Sequence, residues 1–314
     1  MMKMWGKYEL GGINFSHNIS KEIWEDKIMK RLALLLAAMG IVTVGVAAAE
    51  LKVTNVGQEL EIENTSGGSN IGEATYLTTS VGLSYGDWTF GIAGTKFWNA
   101  DTDSIDSYDG RLQLDAWKKI TPDLSLGLRY RGYSDHDRYY VRWNYSKDWF
   151  WSSGDVWYTS YNGNEAKPDS INLEVYPLGF KYGVFKAGWF VNYVDYVGSD
   201  VEGTKENYLE NQIRAYMNLY KDEKLSIDTE VRVTLNSDAD YTGGKKAAKA
   251  DDTLYKDFGR NRVYLGASYN VSEALNVYAK YGYEFRDLEL VQTGKDTDSN
   301  SYFGDFIVGW NYKF

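Results

Sequence analysis

The chain has 314 residues with 34 basic and 44 acidic side chains, no cysteine, and 16% aromatic residues beside only three prolines. The acidic surplus argues against nucleic acid as a partner, and the lack of cysteine excludes disulfides and thiolate metal sites. Aromatic richness in a net hydrophilic chain suits strands with one apolar and one polar face.

Residues 1–28 contain Glu9, Glu22, Glu25 and Asp26, which does not fit the short basic start of an export signal. Trp24-Glu25-Asp26 must be encoded TGG-GAR-GAY, which accommodates a GGAGG ribosome-binding sequence ahead of the Met29 codon. Translation is therefore expected to start at Met29, leaving 1–28 as an over-extended N-terminus. Met29-Lys30-Arg31, the uncharged run from Leu32 to Val46 and Ala47-Ala48-Ala49 then read as a signal peptide over 29–49, cut before Glu50. The cleavage pattern and the alternating segments behind it distinguish this run from a membrane-spanning helix. Removing 1–49, which hold six basic and four acidic residues, leaves 28 and 40, a net charge of −12 over 265 residues.

Turn signals divide 50–314 into segments of about ten to fourteen residues, the length of tilted membrane strands with short extensions. Strands are expected near 51–63, 73–85, 88–98, 110–119, 124–134, 138–146, 149–160, 170–182, 184–196, 208–220, 225–235, 260–271, 275–288 and 301–314. Tight connections at Gly86-Asp87, Thr121-Pro122-Asp123, Lys147-Asp148, Tyr182-Gly183, 221–224 and 272–274 alternate with mostly longer loops. Short turns at one end and long loops at the other predict an all-β, antiparallel up-and-down barrel of about fourteen strands. Asn55 to Gln58 interrupts the alternation of the first strand, so twelve strands is the alternative. Pro177 is expected at a bulge, since the apolar parity shifts from Ile171, Leu173 and Val175 to Leu178 and Phe180. The Asp-, Gly- and Lys-rich loop at 236–259 is expected outside the membrane, without a core of its own.

Parity assigns faces. Leu124, Leu126, Leu128 and Tyr130 share the outward set, as do Leu225, Ile227, Val231 and Val233, and Val263, Leu265, Ala267, Tyr269 and Val271. All ten arginines after residue 49 take the other parity: Arg111, Arg129, Arg131, Arg138, Arg142, Arg214, Arg232, Arg260, Arg262 and Arg286. A charge on the lipid face costs about 2–4 kcal/mol near the midplane, which accounts for part of this segregation. Lys280 also falls inward, with Asp115, Asp155, Glu174, Glu210, Asp228, Glu230, Glu284 and Asp305 as acidic counterparts. These charges either neutralise one another as a brace or leave an anion-attracting lane. Arg129, Arg131, Arg138 and Arg142 are expected to form one patch near the external half, with no inward acid on their own two strands. His136, between Asp135 and Asp137, lacks a nucleophile at any telling spacing, so an Asx-rich hairpin turn explains it better than catalysis. No enzyme activity and no cofactor are expected.

The last strand places Tyr302, Gly304, Phe306, Val308, Trp310, Tyr312 and Phe314 on one face and Asp305, Asn311 and Lys313 on the other. This ending resembles the C-terminal strand of Gram-negative outer-membrane β-barrels of porin type. The resemblance implies that Phe314, with Tyr312 and Trp310, forms part of a signal read by the barrel assembly machinery. It also implies residence in outer-membrane lipid and passive diffusion of small hydrophilic solutes. The pore would be lined by Arg111, Arg129, Arg131, Arg138, Arg142, Glu174, Arg214, Arg232, Arg262, Lys280 and Arg286. In its arginine-rich interior the chain is also similar in character to oligogalacturonate-specific porins, which implies a preference for anionic solutes or acidic oligosaccharides. A non-conducting structural or adhesive barrel working through its external loops is the alternative.

Overall fold

Two-residue alternation gives the sheet one greasy and one charged face, and with the greasy face turned to lipid the unpaired strand edges are satisfied only when the sheet closes on itself. The computed structural model describes residues 50–64, 74–100, 104–162, 167–198, 201–297 and 302–314. The expected over-extended N-terminus and signal peptide lie outside the described residues. Fourteen strands follow: β1 (Lys52–Asn64), β2 (Ala74–Tyr85), β3 (Trp88–Ala100), β4 (Ile105–Lys119), β5 (Leu124–Gly132), β6 (His136–Lys147) and β7 (Phe150–Tyr161), then β8 (Ser170–Tyr182), β9 (Phe185–Tyr196), β10 (Asn207–Lys221), β11 (Leu225–Asp238), β12 (Thr253–Asn270), β13 (Leu275–Leu290) and β14 (Tyr302–Lys313). Each pairs antiparallel with its sequence neighbours, and β1 pairs with both β2 and β14, closing the barrel.

The count is fourteen, and the doubtful first strand is retained. Its irregularity is a register shift between Val53 and Asn55, after which β1 runs unbroken against β14 from Asn55 to Asn64. The expected break at Pro177 is a register shift between Val175 and Leu178 against β9. Two turns sit one residue later than the sequence suggested. Lys147 pairs with Phe150 and Tyr182 with Phe185, so the turns are Asp148-Trp149 and Gly183-Val184. Asp148 and Gly183 have φ of 50° and 58°, the left-handed values that tight hairpins demand of their first turn residue.

The outer face is apolar. Leu126, Leu128, Val141, Val231, Val263 and Leu265 are all exposed, as lipid contact requires. Aromatic pairs gather at the strand ends: Trp88 stacks on Phe90 at 6.0 Å, Phe180 meets Phe185 at 5.7 Å, and Tyr312 meets Phe314 at 5.2 Å beside the tight turns. Tyr283 and Phe285 pair at 4.9 Å toward the long-loop end. Such belts fit rings that are apolar in body and polar at the tip. Tyr130 departs from its expected exposure. It is only 5% exposed, and its hydroxyl donates to Asp137 Oδ1 at 2.7 Å, so this ring covers a rim carboxylate instead of facing lipid.

The 236–259 loop does have a core, contrary to expectation. Ala239, Tyr241, Ala248 and Leu254 bury themselves with Val291 from the β13–β14 connection, and Tyr208 packs against them. Gln292 Nε2 donates to the Ala248 carbonyl at 2.5 Å, and Lys205 forms a bridge to Tyr241. Gly203 passes so close to the Ala247 carbonyl that a Cβ there would collide with it. The loop's composition concealed this because its few apolar residues are completed by neighbouring loops. Tyr241, in the middle of this polar loop, is 3% exposed.

Candidate functional site

Every sequence-assigned inward charge falls on the face opposite the exposed hydrophobics. Register makes this explicit: Arg214 faces Arg232, which faces Arg262, which faces Glu284, while Arg129 faces Asp115 and Arg142 faces Asp155. Long side chains on this concave face also reach past their neighbour to the strand beyond. Arg142 Nη1 on β6 meets Asp115 on β4 at 3.0 Å, and Arg260 Nη1 on β12 meets Glu210 on β10 at 3.0 Å. Lys280 on β13 meets Glu230 on β11 at 3.0 Å, and Tyr264 on β12 donates to Asp305 Oδ2 on β14 at 2.9 Å. The Tyr176 and Tyr216 hydroxyls join β8 to β10 at 2.6 Å, and Tyr278 on β13 donates to Glu59 on β1 at 2.8 Å. None of these chords ends on β2 or β3.

The densest knot is Glu284, which is 1% exposed and takes Arg262 and Arg286 at 2.5 Å and Arg260 at 3.0 Å. Glu230 takes Arg232 at 2.5 Å beside Lys280. Several guanidiniums also lie on rings: Arg262 is 4.2 Å from the Phe303 centroid, Arg286 5.0 Å from the same ring, and Arg214 3.3 Å from that of Phe190. A cation over a ring gains roughly 0.5–2 kcal/mol depending on desolvation, so these rings help to hold the arginines in place. Sequence reading missed the rings, although Arg138-x-Tyr140-x-Arg142 and Arg262-x-Tyr264 display them at the same two-residue step.

The arginine patch of β5 and β6 forms as expected, but its expected lack of neutralisation is corrected. Acids on the two flanking strands supply what β5 and β6 lack. Arg129 Nε meets Asp115 at 2.7 Å, Arg142 Nε meets Asp155 at 2.7 Å, and each carboxylate also faces the other arginine. Arg131 and Arg138 are different. Arg131 donates to Gln113 Oε1 at 2.7 Å, and Arg138 donates to His136 Nε2 at 3.1 Å, with no carboxylate in ion-pair range of either among the described residues. Since arginine only donates, His136 Nε2 must accept, which puts the ring proton on Nδ1, facing Asp135 Oδ1 at 2.6 Å. Arg111 donates to Thr95 at 3.2 Å and Arg214 to Gln212 at 2.7 Å, likewise without a carboxylate in that range.

Glu174 faces Asp155 in register and lines a cavity of about 320 Å³ with Trp117, Arg142, Tyr176 and Arg214. A second cavity, of about 360 Å³, lies beneath the external cap, lined by Lys205, Tyr208, Glu210, Tyr255 and Arg260. Sequence reading also missed Glu59, Glu61 and Glu63. They take the inner parity on β1, where Glu63 faces Asp305. The signal was present in Glu59-Leu60-Glu61-Ile62-Glu63, but the irregularity before it drew attention away.

No protein-family model matches the chain, and no curated protein matches it in sequence. Solved structures do. A bacterial polysaccharide outer-membrane secretin aligns over 83% of this chain and 98% of its own at a TM-score of 0.51 and 6% identity. The anion-selective porin of Comamonas acidovorans aligns over 84% and 100% at 0.43 and 10% identity. The channel DcaP of Acinetobacter baumannii aligns over 85% and 98% at 0.43 and 12% identity. At such identities the likeness concerns the fold alone, and the secretin alignment agrees with the closed antiparallel barrel of fourteen strands described above.

Proposed function

We propose that the barrel is a porin-type channel that passes small hydrophilic solutes by diffusion along a charged wall. The observation that carries this reading is the inner face itself. A barrel of eight strands is filled by its own side chains, whereas fourteen strands enclose more room. Here part of the inner circumference, on β2 and β3, carries only Thr78, Ser80, Gly82, Gly91, Ala93 and Thr95 between its ends. The pore-lining roles of Arg111, Arg129, Arg131, Arg138, Arg142, Glu174, Arg214, Arg232, Arg262, Lys280 and Arg286 belong to this proposal. So does a contact preference for anions at Arg131 and Arg138, whose guanidiniums can grip carboxylates in paired hydrogen bonds. The channel is non-enzymatic; both nitrogens of His136 are already engaged.

The test is conductance of the purified protein in planar bilayers. Stepwise channel openings support the reading. Their absence, with a folded barrel in the membrane, favours an adhesive or structural barrel, for which the packed external cap is the supporting observation. Export by residues 29–49 and assembly through Phe314, Tyr312 and Trp310 complete the proposal. Mass spectrometry of the membrane-borne protein should find its first residue at Glu50; peptides from 1–28 would refute a start at Met29.

A further inference from the structure

Two inward charges of opposite sign line the same cavity, and neither has a counter-charge. Glu174 on β8 is exposed on the inner face, and neither of its carboxylate oxygens has a hydrogen-bond or ion-pair partner among the described residues. Asp155, which it faces on β7, is already engaged: with Asp115 it shares Arg129 and Arg142, two acids against two guanidiniums. Arg214 on β10 is the converse case. Its Nε donates to Gln212 at 2.7 Å and its Nη1 to the Tyr176 hydroxyl at 3.2 Å, while Nη2 has no partner among the described residues. Arg232, which faces Arg214, holds Glu230 together with Lys280, so that carboxylate is also taken.

Register sets the distance between the two free charges. The Arg214 guanidinium lies 3.3 Å from the Phe190 ring centroid, and Glu174 faces Asn192, one two-residue step beyond Phe190 on β9. One strand across and one such step along is about 8 Å, too far for a direct ion pair. With about 3 Å for a hydrogen bond at each end, the remaining gap suits an ammonium and a carboxylate carried on one carbon. A simple cation would meet Arg214 there and a simple anion would meet Glu174, so each is repelled at one end. The space between is a cavity of about 320 Å³ with Tyr176, Phe190 and Trp117 in its walls, within the range of about 300–1,000 Å³ that small-molecule sites occupy. The Tyr176 and Phe190 rings stand 5.1 Å apart and offer apolar surface beside the two charges.

We propose that this cavity is a station on the inner wall for zwitterionic α-amino acids, which place the ammonium on Glu174, the carboxylate on Arg214 and the side chain against Tyr176 and Trp117. Guanidinium grips a carboxylate through paired hydrogen bonds, and the free Nη2 of Arg214 leaves such a grip open. This rests on the porin reading and names a solute class for it.

The experiment is block of single-channel current in planar bilayers at about pH 6, where an α-amino group is charged. The probes are L-phenylalanine, its N-acetyl derivative, which is only an anion, and its amide, which is only a cation. In the parent, L-phenylalanine should block at a concentration about threefold or more below either derivative. Glu174→Gln removes no contact made by the wall; it should erase the advantage over the N-acetyl form and keep the advantage over the amide. Arg214→Gln should do the reverse, and Glu174→Gln suffices if that variant fails to assemble. Equal block by the three probes in the parent, or an advantage over the N-acetyl form that survives Glu174→Gln, overturns the amino-acid station and leaves the porin reading standing. Parent protein that folds in the membrane but forms no channel overturns the porin reading and the station with it.

Discussion

Glu284 on β13 and Glu61 on β1 point to the same side of the same sheet, but one is gripped by three arginines while the other has no hydrogen-bond or ion-pair partner among the described residues. Around Glu284 the inner wall is a lattice in which rings fix guanidiniums and guanidiniums fix carboxylates over three neighbouring strands. Around Glu61 the residues facing it are Tyr76 of β2 and Ile307 of β14, with Phe97 of β3 beyond, and none of them is a cation. The contrast teaches that an inward charge in a barrel has two destinations. Where guanidiniums are dense the charges satisfy one another and stiffen the wall; where the neighbouring strands bring aromatic and aliphatic side chains instead, a carboxylate is left without a counter-charge.

The largest expected effect breaks the lattice. Glu284→Gln leaves three buried or half-buried guanidiniums sharing an amide, and uncompensated buried charge costs about 3 kcal/mol or more. The urea midpoint of the heat-modifiable barrel should drop accordingly, while Glu61→Gln should stay within about 0.5 kcal/mol of the parent. Equal losses in the two variants would mean that the arcs do not differ in the way described.

Next in size is the arginine patch, where the same comparison runs within four residues. Arg129→Gln with Arg142→Gln removes two guanidiniums that Asp115 and Asp155 share. This pair should destabilise the barrel by about 2 kcal/mol, since each carboxylate loses charge-assisted hydrogen bonds. Arg131→Gln with Arg138→Gln removes cations that no carboxylate neutralises, so stability should change by less than about 1 kcal/mol while the reversal potential moves toward cation selectivity. If the first pair shifts selectivity more than the second, the division between bracing and available arginines is wrong.

Much of this was legible in the sequence, because lipid exclusion forces every arginine onto one parity and turn residues mark each hairpin. Strand number, the Pro177 irregularity and the inner placement of all ten arginines were readable on that ground. Neutralisation of Arg129 and Arg142 was not, because it depends on β4 and β7 and on side chains long enough to span two strands. Parity is a property of one strand, whereas a chord is a property of three. Glu59, Glu61 and Glu63 were legible but obscured by the bulged start of β1. The cap over β10 to β13 was illegible for another reason: Ala239, Tyr241 and Ala248 look incidental in a polar loop until Leu254, Val291 and Tyr208 complete their core.

The smallest expected effect sharpens the comparison at that cap, where a polar group is buried outside the membrane without the pairing seen in the lattice. The Tyr241 hydroxyl has no hydrogen-bond partner among the described residues, and burial pushes its pKa up to about 12. An unfolded tyrosine ionises near about 10, so the folded cap holds a proton that the opened loop releases more readily. The contribution is therefore fully present below about pH 10 and is lost as pH rises toward about 12. Tyr241→Phe keeps the ring, discards the unmet hydroxyl and removes the titration, so at neutral pH it should be neutral or slightly stabilising. Thermal unfolding of parent and variant at about pH 9 and about pH 11 checks this: the two should nearly coincide at the lower pH, and the parent should fall behind at the higher. A gap that stays constant across that range would mean that Tyr241 titrates like an exposed tyrosine and that the cap does not exclude water from its core.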